Sequence, residues 1–540
     1  MPSAVSPLPG TTRPDPRRWA ALVVISVGVS LIIVDSTIVN VALPSIVEDL
    51  DSSSTQVQWV QEAYTLVFAA LLLLFGTLGD RIGRRRLLLW GVMLFAASSV
   101  AAASAPTTEL LIGARLVQGV GGAMILPTTL SLINATFHGR ERGIAFAVWG
   151  STIGGMAALG PLLGGWLATD FSWRWAFGIN VPLGVLIILG TMLTVRESRS
   201  EHRRSLDGVG ALLSVMLFGS LTFGLIEGRS LGWWATSGDI SLGSVHWGLP
   251  LSPVPIAFAL TVLSLAAFLL WARHRVRAGR PALLELSLFR IASFRNGSIV
   301  ALMVSLGEFG IILSLPIWLQ FVLGFSALQT GLILVALAGG SFLASGIAAT
   351  ASGKIAPVWV VRAGLLAEIL GIVWIGLVVG PDAAWGWLIP ALIVYGFGVG
   401  LATAQLTGVI LQDVPVELSG QGSGTQSTAR QVGSALGIAI LGTVLFSSTG
   451  SILSSTLEDQ GAPAAQRDTV VTAVVDSAGA AIAGLEQDPA TADAAKAAFS
   501  DGTRYAAFTA AGFLTLGLAA TVSLGERRTR LTKHHRSTNR

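Results

Sequence analysis

The sequence predicts an all-α polytopic membrane protein, and three observations carry that prediction. Of 540 residues, 52% are hydrophobic and only 12% charged, whereas a soluble domain carries about 25% charge. Fourteen stretches are apolar enough to cross a bilayer as helices, for which about 20 residues suffice. Finally, 27 of the 34 Lys and Arg residues fall on one side of those stretches, counting both terminal segments and alternate gaps, the asymmetry that fixes orientation.

The apolar runs lie near 20–44, 56–79, 87–105, 107–135, 143–168, 175–195, 207–227, 254–272, 297–322, 328–352, 358–380, 386–411, 426–449 and 504–525. They are continuously apolar rather than alternating, which excludes a closed β-barrel. The first is too long and too internal for a cleaved leader and lacks a small-residue cleavage site. An even count puts both termini on one side, with Arg13, Arg17, Arg18, Arg81, Arg84 to Arg86, Arg140, Arg142 and the Arg527 to Arg540 tail. That side reads as cytoplasmic. Trp59, Trp173, Trp175, Trp233, Trp247, Trp385 and Trp387 fall at the opposite ends of the spans, where amphipathic rings prefer to lie. The 63 glycines suit helices that pack closely in lipid.

Several chemistries are excluded. With no cysteine there are no disulfides, thiolate metal sites or Cys nucleophiles. No phosphate-binding G-x-x-x-x-G-K-[ST] occurs, no H-E-x-x-H and no G-x-S-x-G. No catalytic residue, metal site or cofactor is expected, and any work must draw on a gradient. Arg far outnumbers Lys, which reads as the codon usage of a GC-rich bacterium rather than as nucleic-acid recognition.

Charge inside a bilayer is costly and marks function by default. Asp35 in the first span and Arg115 in the fourth lie about 13 Å and about 12 Å from the same face at 1.5 Å per residue, so they are expected to pair. Protonation of Asp35 would break the pair, a plausible switch; an equally weighted reading makes the pair purely structural. Glu308 and Glu368 fall about 16 Å and about 15 Å deep, with no basic residue of a neighbouring span at either depth. Both are candidates for a substrate cavity, Glu368 equally for a hydrogen bond between helices. Glu62, about 6 Å inside the second span, is a third cavity candidate or snorkels to the interface.

The turn after the second span, Gly76-Thr77-Leu78-Gly79-Asp80-Arg81-Ile82-Gly83-Arg84-Arg85-Arg86, resembles the signature of the major facilitator superfamily. Asp80 at a helix C-terminus opposes that helix's own dipole and needs an outside partner. Leu111 to Ala123, containing Arg115, resembles the superfamily's fourth-span motif, and Gly155 to Gly165, with Gly160, Pro161 and Gly164, its antiporter motif. The Asp35 segment, Trp173 to Phe177 and Asn180-Val181-Pro182 are similar to the fourteen-helix drug:proton antiporters, as is Arg430 to Gly437. The counterpart turn Ser352-Gly353-Lys354 lacks the acid.

The resemblance implies two six-helix bundles, 1–195 and 297–540, with 196–296 supplying two inserted spans. Within the last segment, 273–295 is basic and amphipathic through Leu283, Leu284, Leu286, Leu288 and Phe289, which predicts a helix lying on the cytoplasmic surface. The stretch 450–504 is expected to be a long outer loop holding a short amphipathic helix, rather than a lid. It further implies a proton-coupled exporter of amphipathic, often cationic, drugs. In that scheme Asp35 and Arg115 couple protons, while Asp80, Arg81, Arg84, Gly76 and Gly83 work a cytoplasmic gate. Gly155, Gly160, Pro161 and Gly164 shape a bending helix. The expected setting is a bacterial cytoplasmic membrane, with both termini inside, protons and small amphipathic molecules as partners and a monomeric chain. Export of an endogenous lipid, siderophore or secondary metabolite, or a non-transporting receptor or scaffold, stays open at this stage.

Overall fold

The computed structural model describes residues 15–50, 54–199, 207–228, 231–236, 241–242, 245–280, 282–351, 355–485 and 488–524. Each of the fourteen expected spans falls on helix. The first bundle comprises α1 (Arg18–Leu50), α2 (Ser54–Ile82), α3 (Arg84–Ala103), α4 (Thr108–Thr136), α5 (Gly139–Asp170) and the sixth span, α6 (Arg174–Gly178) continued by α7 (Asn180–Thr194). The inserted pair is α8 (Gly208–Glu227) and α9 (Pro253–Arg277), linked through strands β1 (Ser241–Leu242) and β2 (Val245–His246), paired antiparallel. The second bundle holds α10 (Ala292–Phe321), α11 (Ala327–Ala351), α12 (Pro357–Val378), α13 (Leu388–Leu411), α14 (Ser419–Asp459), the short α15 (Ala464–Asp476) and α16 (Pro489–Ala520). Among the described residues, thirteen helices are long and apolar enough to cross a membrane.

Local chemistry sets the boundaries. Thr107, Asp207, Ser252 and Asp488 cap α4, α8, α9 and α16, each accepting from a backbone N–H of the first turn. Prolines 253 and 489 open α9 and α16, where a missing N–H costs nothing.

The bundles meet along α2–α14 and α5–α11, with α13 also against α5. At the Asp80 end, Asn134 Nδ2 donates to Ser419 Oγ at 2.9 Å, and Phe146 packs under Gly408. Ala147 shares an apolar cluster there with Ala344, Ala348, Val360 and Leu401. At the opposite end the apolar cluster around Val34, Ile38, Leu111 and Phe177 is built from the first bundle alone. The bundles therefore close on one another at the Asp80 end. The start of α1 lies at this end, through Arg18 bonded to Glu141 at the start of α5.

Two expectations are corrected. Among the described residues of 273–295 there is no separate surface helix: α9 runs to Arg277 and stops at Gly279, whose φ of 67° is left-handed, and Pro281 follows in the sequence. A strap (282–290) replaces it, with one 3-10 turn at Leu286–Arg290. Its Leu283 and Leu284 turn inward onto Leu73 and Phe268, because apolar side chains next to an apolar cleft gain more by filling it than by facing headgroups. Asp207 accepts from the Leu283 N–H (3.0 Å) and Trp271 Nε1 (2.8 Å). The strap also bridges the bundles: Thr77 Oγ1 donates to the Leu283 carbonyl (3.2 Å), and the Glu285 N–H to Gln421 Oε1 (3.2 Å).

Residues 450–504 are not one loop. They form the last turns of α14, then α15, a 3-10 turn at Ala480–Leu485 and the first turns of α16. Alanine-rich sequence favours helix, and Leu453, Leu457, Val474, Ile482 and Phe499 bury together.

Candidate functional site

Asp35 lies on α1 and is fully buried. Arg115 of α4 approaches it at 2.5 Å through Nη1, which also donates to Gln118 Oε1 at 2.7 Å. Gln118, one turn along α4, donates to Asp35 Oδ1 at 2.7 Å and to Ser99 Oγ at 2.9 Å. Asn180, at the start of α7, donates to Asp35 Oδ1 at 2.7 Å. The Arg115 guanidinium also lies 4.4 Å from the Tyr64 ring centroid, a cation–π contact, and its Nε donates to the Val60 carbonyl at 3.0 Å. Two helices, α4 and α7, thus donate to one carboxylate on α1, with α2 and α3 holding the donors from behind. Its charge is matched by Arg115 and its remaining lone pairs by amides, the condition under which a buried ion pair persists.

Nearer the opposite end, Arg174 and the Trp173 indole donate to Asp49 at 2.5 Å and 3.0 Å. Those bonds, Arg174's first, hold the Asp49 carboxyl below the usual carboxylate range.

At the other end Asp80 finds its partner in the N-terminus of α14. Gly420 N–H donates to it at 2.8 Å and Gln421 N–H at 3.2 Å, so a carboxylate meets the positive end of a helix dipole. Arg84 donates to Asp80 through Nη2 (2.7 Å) and Nε (3.1 Å), and through Nη2 to the Val416 carbonyl (2.8 Å). Gly76 makes the approach possible: a Cβ there would lie 2.5 Å from the Gly420 carbonyl oxygen and 2.8 Å from Gly424 Cα. Gly83 carries a φ of 112°, open only to glycine in practice. Glu197 sits against it and accepts from Arg85 N–H at 3.1 Å. Arg81 is exposed.

The glycines of α5 are close-approach points. A Cβ on Gly160 would run into Thr37, two residues from Asp35, and one on Gly164 would lie 2.8 Å from the Ile38 carbonyl oxygen. Gly155 faces Phe342 of α11 across the bundle boundary. Pro161 lies within α5, its side chain outside the described residues.

In the second bundle the expectation that no base reaches Glu308 is corrected. Arg430 of α14 forms an ion pair with it at 3.6 Å, and Thr403 Oγ1 donates to it at 3.3 Å. The thirteenth span was expected to begin at 426, but α14 begins at Ser419, so Arg430 stands well inside the helix. Glu368 is fully buried, backed by Gly398 of α13, with no hydrogen bond to either carboxyl oxygen. Glu62 is half-buried and hydrogen-bonded to Glu227 of the inserted α8.

Residues 25–438 match the Major Facilitator Superfamily. The chain belongs to that superfamily. Over 535 residues it is 34% identical to the multidrug efflux pump LfrA of Mycolicibacterium smegmatis, covering 98% of this chain and 100% of LfrA. It is 36% identical over 463 residues to the puromycin resistance protein pur8 of Streptomyces alboniger (85% and 87% covered). The solved structure of the human organic anion transporter MFSD10 superposes with a TM-score of 0.60 at 15% identity, over 94% of this chain and 100% of MFSD10; that likeness concerns the fold. As a major facilitator chain the protein is a membrane transporter, not an enzyme.

Four residues of this transporter's polar sites carried no assigned role in the sequence. Gln118 and Asn180 stand inside recognisable motifs, but a neutral amide leaves no charge signal in an apolar run. Ser99 and Glu227 sit outside any motif, and only the packing of α3 and α8 reveals their partners.

Proposed function

We propose that this chain is a proton-coupled antiporter that exports amphipathic, often cationic, compounds across a bacterial cytoplasmic membrane by alternating access. The observation that carries the reading is the Asp35–Arg115–Gln118–Asn180 network, a saturated buried ion pair that one proton on Asp35 would dismantle. Multidrug efflux by a relative similar over nearly the whole chain supports the substrate class. The Asp80 end is then the cytoplasmic gate, with Asp80, Arg84 and Gly76 as its fastening. In this scheme the other bundle ends part to release substrate, as expected of rocking about a midplane site. Protonation of Asp35 from outside frees Arg115, and the rearrangement of α1 against α5 at Gly160 loosens the gate. Glu308 is the carboxylate that meets a cationic substrate.

Purified protein in liposomes with an imposed pH gradient tests the export reading: efflux of ethidium should follow the gradient and stop when it is collapsed. Efflux indifferent to the gradient would sink the antiporter reading. Glu308→Gln should weaken export of cationic substrates on the order of tenfold, the cost of about 1.4 kcal/mol, and spare neutral ones. Equal losses for both classes would remove Glu308 from substrate selection.

A further inference from the structure

The second bundle buries two carboxyls beside one guanidinium. Glu308 has Arg430 at 3.6 Å and Thr403 at 3.3 Å. Glu368, fully buried, has no hydrogen-bond partner for either oxygen. Both pack against α13. A Cβ on Gly398 would lie 2.7 Å from Glu368 Cγ, and Tyr395, three residues before it, donates its hydroxyl to the Glu308 carbonyl at 3.4 Å. The charged groups that Glu368 feels are Glu308 and Arg430. From α16, the helix packed on both α10 and α12, Ala510 and Leu514 face Gly307, while Ala507 and Phe508 face Gly376. Arg504 of α16 is directed to the Gly376 and Val379 carbonyls.

One positive charge cannot satisfy two buried carboxylates, and an unpaired ionised carboxyl in such surroundings neutralises instead. We propose that Glu368 holds a proton in this state and that Arg430 can pass from Glu308 to Glu368, making the pair a proton-for-cation exchange site separate from Asp35. The balance is simple. Before exchange the site holds Glu308 ionised, Arg430 cationic and Glu368 neutral. When a monovalent cation settles on Glu308, Arg430 moves to Glu368, whose O–H bond breaks and releases one proton to solvent. The net charge is zero in both states. The identity of the cation rests on the export reading above; the proton on Glu368 does not.

Two measurements on the full-length purified chain test this. Infrared difference spectra of wild type against Glu368→Gln should show loss of a carboxylic-acid carbonyl band; loss of a carboxylate band instead would overturn the proposal. Glu308→Gln should abolish the same acid band, because Arg430, left without its partner, would draw Glu368 into ionisation. A Glu368 that is neutral only as packing would keep the band in Glu308→Gln, and that outcome also overturns the exchange. In weakly buffered detergent solution, tetraphenylphosphonium should release about one proton per cation bound, as electroneutrality requires. That release should persist in Asp35→Asn and vanish in Glu368→Gln, where affinity falls roughly tenfold. Release that persists in Glu368→Gln and vanishes in Asp35→Asn would overturn the assignment. A wild type that binds no tetraphenylphosphonium would count against cation export, while the infrared result alone decides the proton on Glu368.

Discussion

An Asp35→Asn protein is expected to fold, insert and bind substrate, yet to lose export driven by an imposed pH gradient. Asparagine keeps the size of the side chain and can still accept from Gln118, but it leaves Arg115 without a counter-charge. Breaking one side of a buried ion pair costs about 3–5 kcal/mol, enough to shift a two-state equilibrium by a factor on the order of 10² or more. The fold tolerates the change because Arg115 keeps the Val60 carbonyl, Gln118 Oε1 and the Tyr64 ring. Gradient-driven uptake of ethidium into inverted proteoliposomes measures the effect, with thermal unfolding as a control on integrity. Wild-type transport by this variant would remove Asp35 from coupling. Asn180→Leu, which withdraws one of the three donors, should give a smaller loss in the same assay.

Gly76→Val should be as damaging for a different reason. The atoms that a Cβ would meet at Gly76 are the Gly420 carbonyl oxygen and Gly424 Cα, backbone that cannot rotate away as a side chain can. Overpacking of this kind typically costs about 1–3 kcal/mol, and here the whole cost falls on the closed state. Separating α2 from α14 also draws Asp80 away from the Gly420 and Gln421 N–H groups, so two stabilising features fail together. The chain has no cysteine of its own, which allows a clean readout. Cysteines at Asn134 and Ser419, whose side chains are bonded at 2.9 Å, should cross-link readily in an otherwise wild-type chain and poorly beside Gly76→Val. Equal cross-linking would mean that the close approach at Gly76 is not what permits closure.

Much of this arrangement was legible because charge in lipid is rare. Asp35 and Arg115 could be matched by counting residues at a fixed rise, and the count works because both helices run as regular α-helix through the pair. The same method failed for Glu308 and Arg430. Hydropathy reports what faces lipid, and the first turns of α14, Ser419 to Gly424, are small and polar because they pack against α2 and Asp80. The span was therefore read as starting too late, at 426, which left Arg430 only four residues from its start. The surface helix between α9 and α10 was misread for a related reason. Spaced leucines signal an apolar face, but nothing in their spacing says whether that face meets headgroups or fills a cleft beside Leu73 and Phe268. The pairing of Glu62 with Glu227 depends on where the inserted α8 docks, which no local pattern records.

The strap between α9 and α10 offers a way to watch the cycle without touching it. It is hydrogen-bonded to α2 through Thr77 and to α14 through Gln421, so any hinge motion that parts those helices must release one attachment. Ser287, on the same strap, is exposed. A fluorophore on a single cysteine there would have no competing thiol, and its emission would report the parting of α2 from α14 in real time.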